Sequence, residues 1–260
     1  MSVAEVNGQR ISYQDSGGEG PAILFSHGFL MDGSMFDAQV AGLRDQFRCI
    51  TWDERGYGGT GTTGPFTYWD SSADALALLD HLGIERAVFA GMSQGGFISL
   101  RAALSAPERV RGLVLIDTQS GLEDPEVLPL YQALHDEWVA NGPSAVQDVV
   151  ASIIFSPGVE VEPWFAKWGA MDPSSFTVLF RALVDRDELT ERLGEITQPS
   201  LIVHGTADAA IPVWRAEQLR DNLAGPTELV LVEGAGHASN MSHAEAVNRA
   251  TARFVAGLDA

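Results

Sequence analysis

A serine flanked by glycines, in Gly91-Met92-Ser93-Gln94-Gly95, is the residue whose type and setting most directly offer chemistry. With 27 glycines in 260 residues, chance alone supplies roughly 0.2 Gly-x-Ser-x-Gly matches, so the bare pattern says little. Its position says more. The apolar run 87–90 precedes it at once, and Phe97, Ile98, Leu100, Ala102 and Leu104 follow with helical spacing until Pro107. A strand, a tight turn and a helix in that order form a nucleophile elbow, which lifts the serine hydroxyl above a sheet edge. Side chains at Gly91 and Gly95 would collide in so sharp a turn, and the helix start aims N–H groups at a developing oxyanion.

A serine hydroxyl attacks only when a base takes its proton. Of six histidines, His27 and His204 each end a strand in His-Gly and read as braces of a turn. His81 and His135 lie in helical patterns, as solvated or half-buried residues, and His243 lies within the last helix. His237 follows the final strand in the glycine-rich Glu233-Gly234-Ala235-Gly236-His237, where an open α/β sheet keeps its functional groups. It is the expected base. Two aspartates could orient it: Asp208, four residues past a strand, and Asp117, directly after one. Reach favours Asp208, because Gly205 and Ala207 give its loop length and freedom; Asp117 is better placed to anchor the departing chain through backbone N–H groups. Asp53 reads as a salt-bridge partner of Arg55. The oxyanion requires two backbone donors: Gln94, the residue after the nucleophile, and Phe29 in His27-Gly28-Phe29-Leu30 after the strand 22–26.

Elements that could position these groups are readable. Segments 2–6 and 9–14 flank Asn7-Gly8, a strong hairpin signal. Continuous apolar runs at 22–26, 49–52, 87–90, 112–116, 200–204 and 228–232 suit strands covered on both faces. Helical patterns lie between them: Trp69, Leu76, Leu79 and Leu82 before a capping Gly83, a helix starting at Pro212, and a last helix over about 240–256. Residues 119–195 break the alternation with helical patterns punctuated by prolines, and hold Trp138, Trp164 and Trp168. The domain reading is a core of 1–118 and 196–260 with 119–195 inserted as a helical lid, those tryptophans being candidates for the substrate pocket.

Composition narrows the function class. The net charge is −19, from 35 acidic against 16 basic residues, with Lys167 the single lysine; such a surface repels nucleic acid and anionic membrane. No apolar run reaches the roughly 18 residues of a membrane span. The first eight residues carry no secretory pattern, so a cytoplasmic protein is expected. Cys49 reads as a core residue, and neither His-Glu-x-x-His nor paired cysteines are present, so no metal or organic cofactor is expected.

Taken together, His-Gly-Phe at 27–29, Asp-x-Arg-Gly-x-Gly at 53–58, the elbow at 91–96, Gly-x-x-Asp at 205–208 and Gly-x-Gly-His at 234–237 resemble the α/β-hydrolase superfamily over essentially the whole chain. The branch they resemble most holds cofactor-free haloperoxidases and perhydrolases, enol-lactonases and small carboxylesterases. The resemblance implies an α/β fold with a mostly parallel eight-stranded sheet, and the order Ser93, Asp208, His237. It also favours Asp208 over Asp117. The expected activity is hydrolysis of a carboxylic ester or lactone, with a small, mainly hydrophobic substrate. Hydrolysis of a carbon–carbon bond, perhydrolysis, and a receptor with vestigial turnover stay open. An organophosphate should add one label per chain, and Ser93→Ala should abolish it; undiminished labelling by mass spectrometry would remove Ser93 as nucleophile.

Overall fold

The computed structural model describes residues 1–62 and 64–258. Asn7 and Gly8 both take positive φ, 49° and 72°, and fold β1 (Ser2–Val6) back on β2 (Gln9–Asp15). The parallel strands follow as β3 (Ala22–Ser26), β4 (Arg48–Trp52), β5 (Ala87–Met92), β6 (Val110–Ile116), β7 (Ser200–Gly205) and β8 (Thr227–Val232). All six sequence-predicted apolar runs form strands, shifted at their ends by up to two residues. The sheet has eight strands in the order β1-β2-β4-β3-β5-β6-β7-β8, antiparallel at β1–β2 and β2–β4 and parallel elsewhere.

Strand periodicity builds two cores. In β3 and β5, Ile23, Phe25, Val88 and Ala90 face one layer, while Leu24 and Phe89 face the other. The first layer is closed by α1 (Asp37–Leu43) and α10 (Ala244–Gly257), the second by α2 (Tyr68–His81), α3 (Gln94–Ser105) and α8 (Val213–Asn222). Gly83, with φ of 66°, ends α2 as expected, and Pro212 is the residue before α8 rather than its first. The short α1 carried no clear periodic signal. The expected last helix is two, α9 (Ser239–Ser242) and α10, separated at His243 (φ −130°, ψ 42°). The break has a cause: α9 is tied to the loops beside it, Ser239 N donating to Asp117 (2.9 Å) and Asn240 Nδ2 to the Met35 carbonyl (3.2 Å).

Between β6 and β7 the chain forms α4 (Leu128–Asn141), α5 (Gln147–Ile154), α6 (Glu162–Gly169) and α7 (Pro173–Val184). Their buried faces are continuous with the first core layer. No helix among the described residues is long and apolar enough to cross a membrane. Cys49 is buried, which pushes its thiol up to about 12.

The tightest point lies where β5 turns into α3. A Cβ on Gly91 would collide with the backbone of Gly95 and Gly96, and one on Gly95 with the Ser26 carbonyl of β3. Neither neighbour is a flexible side-chain tip, so the backbone itself would have to shift. Gly91→Ala should lose about 3 kcal/mol or fail to fold, as urea denaturation would measure.

Candidate active site

Every residue singled out for chemistry emerges from a carboxyl end of the sheet. The chain runs from β3 to β4 on one side and returns to β5 on the other, so the ends of β3 and β5 flank a topological switch point, where such sheets bind ligands. Ser93 stands there at φ 50°, ψ −113°, a strained geometry for a residue with a side chain. Its N–H donates to the Ile116 carbonyl (2.9 Å), and its carbonyl accepts from the Thr118 hydroxyl (2.7 Å). The elbow is thus held from β6.

The structure brings Ser93, His237 and Asp208 into one hydrogen-bonded chain. Ser93 Oγ lies 3.0 Å from His237 Nε2, and His237 Nδ1 lies 2.8 Å from Asp208 Oδ2. The other Asp208 oxygen accepts the N–H groups of Ala210 (2.8 Å) and Ile211 (2.9 Å), which stops the carboxylate from rotating. His204 braces the same turn, its Nε2 donating to the Ile211 carbonyl (2.8 Å). The His237 loop is fastened by Ser156, whose hydroxyl accepts from Gly236 N (2.8 Å), and by the Ile154 carbonyl, which accepts from Ala238 N (3.0 Å).

Asp117 sits beside this chain but does not join it. Fully buried at φ 46°, it accepts Gly205 N on one oxygen (2.8 Å) and Ser239 N on the other (2.9 Å). It therefore stitches the Asp208 loop to the segment after His237. Burial, with the charge of Asp208 adding, pushes its carboxyl up to about 7. For His237, burial alone would disfavour the charged ring. The charge and hydrogen bond of Asp208, with Asp117 behind, outweigh it and hold the imidazole above its ordinary value. Asp208 behaves in reverse: burial would raise it, but His237 and the backbone donors hold it below the usual carboxylate range. The side chains of Asp117, His204 and Asp208 cluster closely enough to suggest a cation site. Their oxygens are already committed to backbone N–H groups and to His237, which fits a hydrogen-bonded support rather than a metal cage.

Phe29 follows β3 and Gln94 opens α3. Among the described residues neither backbone N–H has a protein acceptor, as free oxyanion donors require. Gly28 packs closely on Met92: a Cβ there would lie 2.6 Å from Met92 Sδ, so that side chain would have to move. Asp53 braces the loops after β3 and β4, accepting from Gly33 N (2.9 Å) and Gly59 N (2.8 Å). Arg55 pairs instead with the buried Asp74 of α2, correcting the expected Asp53–Arg55 bridge.

A mainly apolar cavity opens on Ser93 and His237, with Phe29, Trp138, Phe176 and Phe180 among its walls. Of the three candidate tryptophans only Trp138 lines it. Trp168 is fully buried and donates its indole N–H to the Leu30 carbonyl (2.7 Å), and Trp164 packs on Phe155 beneath the Lys167 ammonium. Those two are packing residues of the helical insert, an outcome that helical periodicity alone could not separate from pocket lining. His135 departs from its sequence reading too. It is buried and stacked on Phe176 and Phe180 in the cavity wall. Sequence reasoning passed over Glu54, Tyr57 and Tyr68, which surround the Gln94 side chain; no spacing signal marks them.

Comparison with known proteins agrees with this fold. The family described as alpha/beta hydrolase fold matches residues 21–244, and the chain belongs to that family. It is 28% identical over 237 residues to 3-oxoadipate enol-lactonase 2 of Acinetobacter baylyi, covering 88% of this chain and 86% of that protein. It is 26% identical over 253 residues to pimeloyl-[acyl-carrier protein] methyl ester esterase of Aliivibrio salmonicida, covering 90% and 92%. The crystal structure of the enol-lactonase from Burkholderia xenovorans LB400 superposes with a TM-score of 0.89 at 29% identity, over 98% of this chain and all of that one, a coverage of 100%.

A base that is neutral only above a raised pKa loses activity as pH falls through that value. The acid limb of kcat/KM should therefore inflect above the ordinary histidine value of about 6.5, and a profile flat to about pH 4 would exclude a histidine base. Asp208→Asn should lower kcat by a factor on the order of 10³ to 10⁴ with the fold intact. Asp117→Asn should instead cost about 1–3 kcal/mol in denaturation, since its amide faces two N–H groups with one acceptor. The opposite pattern in two folded variants would move the orienting role to Asp117.

Proposed function

We propose that the chain hydrolyses a neutral or weakly charged carboxylic ester or lactone through an acyl-enzyme on Ser93. The observation that carries this reading is the Ser93–His237–Asp208 hydrogen-bonded chain opening on an apolar cavity. In the first half-reaction, His237 Nε2 takes the Ser93 proton as Oγ bonds to the carbonyl carbon. The carbonyl oxygen gains the negative charge and is met by the N–H groups of Phe29 and Gln94. Collapse breaks the bond to the leaving oxygen, which takes its proton from His237. Water then repeats the sequence and frees Ser93. Asp208 keeps the His237 proton on Nδ1 and stabilises the imidazolium throughout.

The relatives support the reaction class through their names, a lactonase and a methyl ester esterase. The cavity wall supports a narrower substrate. No lysine or arginine is among its lining residues, while the Glu123 carboxylate is. Arg186, which could have met an anion, is paired with Glu123 and stacked on Phe97. A substrate carrying its own carboxylate would meet no cation there, and would approach a chain of net charge −19. The insert at 119–195 acts as the cap that supplies the apolar wall from α4, α5 and α7.

A screen of esters and lactones of graded chain length tests the proposal. Neutral hydrophobic substrates should exceed carboxylate-bearing analogues of equal length in kcat/KM by about tenfold or more, and the reverse order would overturn the assigned substrate class. Trp138→Ala should change chain-length preference and Trp168→Ala should not, while each costs about 3–5 kcal/mol in thermal or urea unfolding.

A further inference from the structure

Behind the two proposed oxyanion donors lies a buried carboxyl that the reaction does not use. Glu54 follows β4 and is 1% exposed. One of its oxygens accepts a hydrogen bond from Gln94 Nε2; the other has no partner among the described residues. The opposite end of the Gln94 amide accepts from the phenols of Tyr57 (3.0 Å) and Tyr68 (2.9 Å). The side chain next to the nucleophile is thus held from three sides. The Glu54 backbone reaches the other donor. Its N–H donates to His27 Nε2 (3.0 Å), which leaves the ring proton on Nδ1, and Nδ1 donates to the Gly28 carbonyl (2.8 Å). That carbonyl shares one planar peptide with Phe29 N–H. Fixing one fixes the direction of the other.

We propose that Glu54 is the positioning residue of the oxyanion site, bracing Phe29 N–H through His27 and Gln94 N–H through the Gln94 amide. This rests on the reading of Phe29 and Gln94 as the donors. The groups facing Glu54 are Asp53 in its own loop, His27 after β3, Gln94 in α3, Tyr57, and Tyr68 in α2; Arg101, Arg186 and Glu123 act on Tyr68. None of them forms an ion pair with it. Burial, with the charge of Asp53 adding, outweighs the Gln94 hydrogen bond and holds the Glu54 carboxyl well above the usual range. A carboxyl whose charged form is disfavoured in this way braces the amide while opposing the oxyanion less than a freely ionised one would.

The test compares Glu54→Gln, which keeps an acceptor for Gln94, with Glu54→Met, which removes it at similar volume. Both are assayed well below their melting temperatures. Glu54→Met should lower kcat by about 10- to 100-fold, less than outright loss of one donor, which costs about 10²–10³. KM should stay within about threefold, and affinity for an alkyl boronic acid, a tetrahedral mimic, should fall in parallel with kcat. Glu54→Gln should restore both. Where Glu54→Met does not fold, Gln94→Met removes the same hydrogen bond from its other end and carries the same expectation. Unchanged kcat and boronate affinity in a folded variant, with only a lower melting temperature, would reduce Glu54 to a packing residue. Organophosphate labelling separates the two levels. If Ser93→Ala abolishes labelling while Glu54→Met keeps kcat, the positioning role alone fails. If Ser93→Ala still labels, the reading of the site fails with it.

Discussion

The constraint on which the rest depends is the contact between backbone and backbone where β5 gives way to α3. Gly91 packs on the Gly95–Gly96 peptide and Gly95 on the Ser26 carbonyl, with no room for a methyl group between them. This contact forces the turn to be sharp enough that Ser93 takes a left-handed φ and stands proud of the strand ends. It also presses the start of α3 against the end of β3, so the loops carrying Phe29 and Gln94 are neighbours. The hydrogen bonds from the Ser93 N–H to Ile116 at the end of β6, and from the Thr118 hydroxyl to the Ser93 carbonyl, then hold the strained residue in place. A local packing condition thereby sets the spacing of groups that lie far apart in the chain.

Around that turn, three of the buried carboxyls of a strongly acidic protein are shifted in different ways. Asp208 stays charged because His237 and two backbone donors compensate it. Asp117, deprived of a cation by its neighbour, is pushed up to about 7 and works through backbone N–H groups. Glu54 has an amide and no cation, and burial holds its carboxyl well above the usual range. The order follows the number and charge of the partners each one finds, as expected where burial penalises charge. Reach rather than burial separates the two aspartates. The three residues from the end of β7 carry Asp208 to His237, whereas Asp117 is held at the end of β6.

Much of this was legible in the sequence, and the boundary of what was legible has a physical basis. Ser93, Asp208 and His237 each stand at a fixed offset from an apolar strand, and the turns that present them demand glycine, so local pattern betrays them. The inner parallel strands β3, β5, β6 and β7 are visible for a similar reason: both faces are covered, and their runs are continuous rather than alternating; β8, at the sheet edge, carries an apolar run although Leu231 is exposed. Glu54, Tyr57 and Tyr68 follow no such rule. They meet Gln94 across separations of 26 to 40 residues, and a carboxyl after a strand looks the same whether it pairs with an amide or faces water. The tryptophans mark the same limit. Trp138, Trp164 and Trp168 all carry the apolar character of buried residues, yet only the crossing of α4 over the sheet decides which one meets the cavity. The break at His243 was invisible because it comes from tertiary ties on Ser239 and Asn240, not from a helix-breaking residue.

The hydrogen bond from Trp168 to the Leu30 carbonyl has a consequence for how such folds diversify. Leu30 is itself in the left-handed region, immediately after the proposed Phe29 donor. The insert also holds the His237 loop through Ser156 and Ile154, and Lys167 bonds to Asp32 and Ser34 a few residues past Leu30 (2.9 and 2.7 Å). A helical segment transplanted from a relative to change selectivity would arrive without these ties unless they were carried with it. The recipient would then keep its serine, histidine and aspartate while leaving a buried carbonyl and two loops without their partners. Modular exchange in this architecture must therefore include the seams as well as the walls of the cavity.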